Sequence, residues 1–317
     1  FPSFKVATAA IEKATKALKK ESPPRERALI HALATLFEWP VTPTAASRKV
    51  VYAGTMESIS LAPQFANDAD LQALAADAVM SLSPWALYTP DKKPTAIAKR
   101  AVAILERGLQ ADPKHMYLCH LRIHADEMGP VEQFDWVSAE NLRSTDALDA
   151  GHLLHMPTHL DIQVGDYSRA IESNQLAIAA DLRQLKRSPE RFSIYTGYVV
   201  HNMEFCAWAA MYAGRKQVAY EACDQLEGFL DEAKLSSHPI LPNFFEAYTT
   251  TRLMVHVRFG EWDAILQTRF KPDKELYTAH TLFLHFARGI AYGATGEASK
   301  GREEQSKFAT ILASLTP

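Results

Sequence analysis

Apolar positions recur at three- and four-residue spacing along almost the whole chain, the mark of amphipathic helix. Residues 5–19 (KVATAAIEKATKALK) carry it first and stop at Ser22-Pro23-Pro24, and residues 25–37 (RERALIHALATLF) repeat it as far as Pro40. Residues 45–61 and 67–82 read as another pair, broken at Ala62-Pro63 and Ser83-Pro84. Thr95 stands where it can cap a helix over 96–111, which Asp112-Pro113 closes before starting the next one, running to about Met128. No two-residue alternation bounded by hairpin signals appears, so the pattern predicts an all-α chain without a sheet.

From residue 113 onward the predicted helices come in pairs joined by a glycine turn. Gly165-Asp166-Tyr167, Gly214-Arg215, Gly260-Glu261-Trp262 and Gly296-Glu297 each precede a new helical stretch, with the glycines 49, 46 and 36 residues apart. A glycine turn followed by a polar or aromatic residue and then alanine resembles the tetratricopeptide repeat, whose unit is about 34 residues. The excess length is expected in two loops, Lys186–Tyr195 and Leu235–Pro242. The architecture this implies is a right-handed superhelix of stacked antiparallel helix pairs, about fifteen helices in a single domain over residues 1–317.

Composition narrows the function classes. Apolar residues make up 47% of 317, enough for a sizeable core, while a net charge of −3 gives no footprint for nucleic acid or an anionic membrane. The basic run Lys13–Lys20 reads as a solvated helix face. Three scattered cysteines form no disulfide framework and fit a reducing compartment; with no long apolar run and no secretory leader, a cytoplasmic location is expected. The chain opens on Phe1 like the middle of a protein, so a preceding helical segment is expected.

The candidate chemistry lies in residues 115–159, which hold six of the twelve histidines. His120, His124 and Glu127 fall at i, i+4 and i+7 of one predicted helix, and His155 and His159 are again i, i+4, with His152 three residues earlier. Imidazoles and a carboxylate at such spacing are what a transition-metal site on helices requires, the alternative being hydrogen-bonded core histidines. Pro157 means either that a helix begins there or that a longer one bends. His201, in YTGYVVHN at the start of a helix over 199–213, lies one repeat further on and is a candidate catalytic residue. Tyr195 and Tyr198 are candidates to orient the ligands, and Tyr195 joins His201 in the expected catalytic set. Cys119, about 100° round the helix from His120, reads as core filler. His31, His256, His280 and His285 read as structural, although His280 or His285 could line a cavity, and His238 reads as a loop residue. No nucleophile elbow, phosphate loop, dinucleotide fingerprint or HExxH motif is present.

The segments ERALIHAL, SPWALY, LCHLRIHADE, AGHLLHMPTHLDIQVGDYSRAIESNQLAIAAD and YVVHNMEF together resemble a group of bacterial and fungal tetratricopeptide-repeat proteins with an AGHLxHMPxH signature. The resemblance covers nearly the whole chain and implies the repeat fold together with an additional N-terminal helical region. It implies no reaction. Met116, Cys119 and Asp126-Glu127 depart from the usual pattern.

The residues therefore carry the functional expectation. His124, Glu127, His155 and His159 are the preferred ligands, with His120 and His152 beside them, for iron or copper in preference to zinc. The expected activity is that of a metal-dependent oxidoreductase on a small organic molecule. Zinc-type hydrolysis or lyase chemistry, or a groove that binds a protein or peptide without catalysis, are the alternatives.

Overall fold

The computed structural model describes residues 2–41, 45–144, 149–188, 194–237 and 242–315. Among the described residues the regular elements are all helical: eighteen α-helices and three 3₁₀ turns, with one isolated β-bridge between Tyr88 and Pro94. Among the described residues no helix is long and apolar enough to cross a membrane. His238 and the centres of the two long loops, 189–193 and 238–241, lie outside the described residues. The chain divides into two compact units, Phe1–Thr145 and Asp146–Pro317.

The first unit runs through α1 (Pro2–Ala17), α2 (Pro24–Leu36), α3 (Ala45–Ser60), α4 (Ala69–Met80), α5 (Ala96–Ala111), α6 (Met116–Asp126) and α7 (Trp136–Arg143). Its core gathers Met56, Leu71, Ile104, Leu105 and Leu118 from successive helices, with Leu87 from the connection between α4 and α5. Each such side chain contributes about 1.5–3 kcal/mol by leaving water. Thr95 caps α5 as expected, accepting from the Ala98 amide. The start of α6 differs from expectation. Asp112 ends α5, and His115 instead caps α6, its Nδ1 accepting from Leu118 N at 3.2 Å while Nε2 meets Asp70 at 2.9 Å.

The second unit holds α8 (Gly151–His155), α9 (Thr158–Val164), α10 (Tyr167–Arg187), α11 (Ile194–Tyr212), α12 (Lys216–Phe229), α13 (Glu232–Ser237), α14 (Pro242–Glu246), α15 (Thr251–Phe259), α16 (Trp262–Gln267), α17 (Thr278–Ala294) and α18 (Ala298–Leu315). All four turn glycines adopt positive φ, between 69° and 85°. In each case the next residue's amide bonds the carbonyl five residues back: Asp166 to Asp161, Arg215 to Ala210, Glu261 to His256 and Glu297 to Tyr292, at 2.8–2.9 Å. One C-terminal motif, which needs a left-handed residue and hence glycine, thus closes four helices.

Side chains bond across successive pairs at a constant offset. His155 meets His201 at a separation of 46, Ser168 meets Arg215 at 47, Glu204 meets Thr251 at 47, and Arg258 meets the Met211 carbonyl at 47. This period exceeds 34, and much of the excess is helix rather than loop. With no breaker between 182 and 187, α10 continues for 21 residues, and α11 starts at Ile194 and runs for 19.

The sequence of α11, IYTGYVVHNMEFCAWAAMY, is apolar nearly all round, as a helix buried on several sides must be. It packs against α8, α10, α12 and α15. Its few polar residues therefore have to find partners inside the unit, and His201 and Asn202 do so at the site.

Candidate metal centre

Pro157 resolves into a break. α8 ends at His155 and α9 begins at Thr158, with Met156 and Pro157 still close to helical dihedrals between them. The i, i+4 relation of His155 and His159 therefore survives the proline, and their Nε2 atoms stand 2.9 Å apart. From α11, His201 brings its Nε2 to 3.0 Å from His155 Nε2. The three nitrogens lie within 4.8 Å of one another and could hold a metal ion. Metal–nitrogen bonds of about 2.1 Å at angles of ~90–110° place ligand nitrogens about 3.0–3.4 Å apart, so the observed spacing fits.

The tautomer of His155 follows from its neighbours. Asn174 of α10 donates through Nδ2 to the Ala170 carbonyl at 2.8 Å, so its Oδ1 is the atom facing His155 Nδ1, 2.7 Å away. An amide oxygen only accepts, so His155 carries its proton on Nδ1 and a lone pair on Nε2. Both residues are fully buried. Burial, followed by the charges of His201, His159 and His152, holds the His155 pKa well below the ordinary imidazole range and keeps the ring neutral. One lone pair accepts one good hydrogen bond, yet two Nε2 atoms converge on it. A trio of merely hydrogen-bonded histidines would leave that geometry poorly satisfied, whereas an ion satisfies all three.

Phe205 lies beside the three rings, its centroid 4.9, 5.0 and 5.4 Å from those of His155, His159 and His201. His152 stacks on His155 at 5.7 Å and on Tyr198 at 4.2 Å. It lines the triad's edge, with its ring centroid 6.4 Å from that of His201.

No model of a known protein family matches this chain, and no curated protein does.

A second buried group braces α8. Asp181, at zero exposure, accepts from Tyr195 Oη at 2.6 Å and from Asn202 Nδ2 at 2.8 Å. Desolvation raises its pKa, opposed by those two hydrogen bonds. A Cβ built on Gly151 would fall 2.0 Å from Asp181 Oδ1, so only glycine lets α8 lie this close to α10. Tyr195, expected in the catalytic set, is a donor in this brace. Burial and Asp181 raise its pKa and keep the phenol protonated.

The remaining candidates belong to the first unit. On α6, His120 and His124 meet edge to face at 4.8 Å between centroids. Glu127, an expected ligand, lies with its Oε1 2.7 Å from His124 Nδ1. Cys119 is buried, and burial raises its thiol pKa, in keeping with core filler. Asp126 is clamped by Arg122 at 3.0 Å and accepts from the Asp135 amide at 2.7 Å.

Of the residues that sequence reasoning missed, Asn174 and Asp181 matter most. Their signal was present: both interrupt the stripe of Ala170, Ala177, Ile178 and Ala180 on α10, and a polar residue on a buried face needs a partner there.

Proposed function

We propose that this protein is a metal-dependent enzyme whose ion is bound by His155, His159 and His201, and that its reaction is the oxidation of a small organic molecule. The observation that carries the reading is the convergence of the His159 and His201 Nε2 atoms, at 2.9 and 3.0 Å, on the Nε2 of a His155 whose tautomer Asn174 fixes. Three neutral imidazoles suit iron, copper or zinc and leave coordination positions for a substrate. An ion bound there would supply Lewis acidity or electron transfer. The chain's own residues hold it, keep His155 neutral and wall one side with Phe205.

Iron or copper is preferred over zinc for a reason of proton handling. Zinc-assisted hydrolysis needs a base beside the bound water. Glu127 is engaged with His124, and Asp181 with Tyr195 and Asn202. Redox chemistry has less need of such a base. One observation favours hydrolysis as the second reading: His152 stacks against the triad and could take a proton.

For the scaffold, we read the paired helices, the four glycine turns and the constant offset of about 46 residues as a tetratricopeptide-like superhelix, of the group that carries the AGHLxHMPxH signature. Such arrays often bind peptides, and a groove that recruits a protein partner without metal is the non-catalytic alternative.

Loading apo-protein separately with Fe(II), Cu(II) and Zn(II), and following oxygen consumption with candidate substrates, tests the reaction. Oxygen-dependent turnover with iron or copper is expected. Full activity with zinc in the absence of oxygen contradicts the redox assignment.

A further inference from the structure

The burial pattern along α11 leaves one face open. From Thr196 to Tyr212 every side chain is buried except, Gly197 aside, those of Tyr198, His201, Glu204, Phe205, Trp208 and Tyr212. At 3.6 residues per turn these six positions fall within one sector of about 120°. The open face of a largely buried helix is ordinarily polar. Here four of the six are aromatic, a fifth is the triad's His201, and Glu204 is the one carboxylate, with no lysine or arginine among them. Single exposed apolar residues need no explanation, but a contiguous strip of rings marks a binding surface.

The rings at the two ends of the strip already have partners. Tyr198 lies 4.2 Å from His152, and Tyr212 stacks on Tyr167 at 5.3 Å, centroid to centroid. Between them Phe205 stands beside the three imidazoles of the triad, and Trp208 follows about one turn along.

Glu204, at the edge of this strip, is half-buried and poorly matched. The Trp208 indole N–H donates to it. Thr251 Oγ1 lies 3.3 Å from its Oε1, but the single hydroxyl proton has a nearer acceptor in the Tyr248 carbonyl, at 2.8 Å. No cation answers the carboxylate. Among the described residues Glu204 takes part in no salt bridge; Arg252 is bound to Asp224 and Glu227 at 2.6 and 2.7 Å, and Arg258 gives its Nε to the Met211 carbonyl at 3.0 Å. Burial raises the Glu204 pKa, opposed only by the Thr251 and Trp208 bonds. A desolvated carboxylate beside aromatic rings suits an arriving cation, which supplies the missing counter-charge and is attracted by the ring faces.

We propose that this strip binds a small aromatic amine, with the ammonium on Glu204 and the ring along Phe205 and Trp208. His201 and Glu204 are i, i+3 on one helix, with Cβ atoms about 5–6 Å apart, so a molecule anchored on Glu204 lies within reach of the triad. The amine names the substrate class of the oxidation proposed above and in that respect rests on that reading; the binding itself does not need the ion.

The test is calorimetry on the full chain, as purified and after chelator treatment, with 2-phenylethylamine as the probe and 2-phenylethanol and 3-phenylpropionate as matched controls. In the chelator-treated protein the amine is expected to bind saturably at one site in the millimolar range or below, about tenfold tighter than the alcohol, and the acid not at all. Glu204→Gln keeps the size of the side chain and removes the buried charge, and is expected to bring the amine down to the level of the alcohol. Trp208→Leu, with a thermal melt to confirm folding, is expected to weaken amine and alcohol together by about threefold or more. Absence of saturable binding at millimolar amine, equal binding of the acid, or an amine affinity indifferent to Glu204→Gln overturns the proposal. The chelator-treated protein carries no ion, so a triad that proves to bind no metal leaves this result untouched. Conversely, one ion per chain with no amine bound sinks the substrate class and leaves the metal reading standing.

Discussion

Replacing Asn174 by Leu removes the amide acceptor from His155 Nδ1 while keeping the branching and heavy-atom count of the side chain. The bond lost is 2.7 Å long and lies between two fully buried residues, and only the Thr158 hydroxyl, at 3.3 Å, remains beside Nδ1, so the loss costs about 1–3 kcal/mol of stability. In a unit of this size that is a fall of several degrees in the unfolding midpoint of the metal-free protein. The second effect is on the ion. Once Asn174 no longer fixes the proton on Nδ1, His155 is free to place it on Nε2, and every population that does so cannot ligate. Losing such an orienting partner lowers metal affinity by about 10–100-fold, or ~1.4–2.8 kcal/mol. Competition against a chromophoric chelator measures this directly. Asn174→Asp restores an acceptor and is expected to recover most of the affinity. An Asn174→Leu protein that is less stable yet binds metal within about twofold of wild type would refute the tautomer argument. It would leave Asn174 as an ordinary buried hydrogen-bond partner.

Gly151→Ala should destabilise the second unit by about 1–3 kcal/mol, read by urea unfolding, because the new Cβ would fall 2.0 Å from Asp181 Oδ1 and α8 must move. Tyr195→Phe removes one of the two donors to buried Asp181 and is expected to cost about 1–2 kcal/mol in the same assay; turnover at saturating metal should persist if Tyr195 is a brace and vanish if it is catalytic. For His280 the folded pKa of about 4 lies below the unfolded value near 6.5, so the unfolded chain binds the extra proton. Its contribution is therefore present above pH 6.5 and is lost as pH falls toward 4, an amount of about 3 kcal/mol. Comparing wild type with His280→Gln at neutral pH and near pH 4.5 isolates it: the gap between them should narrow on acidification, and a constant gap contradicts the assignment.

Most of the helical content was legible because the signals are local. Thr95 caps where its side chain predicts, and the four turn glycines take the left-handed conformation that no other residue adopts as cheaply. Where sequence reading fell short, a non-local partner decided. His115, not Asp112, caps α6 because Asp70 of α4 holds its other nitrogen. The excess repeat length lies largely in α10 and α11, since nothing ends α10 before Arg187. At the site, the i, i+4 spacing of His155 and His159 was readable, and so was the candidacy of His201 one period away. The roles of Asn174, Asp181 and Asn202 were not assigned, because each depends on which face of α10 meets α8 and α11. Tyr195 and Glu127, expected as a catalytic residue and a metal ligand, stand against Asp181 and His124, neighbours that depend on the packing of other helices and of the chain's turns.

The claim that His155, His159 and His201 hold a transition-metal ion is tested most directly by elemental analysis of protein purified without chelator, beside His155→Ala and His201→Ala. About one ion per chain is expected in the wild type, retained through dialysis and lost in both variants. Less than about a tenth of an ion per chain, unchanged after reconstitution, or metal retained in full by both variants, would contradict it.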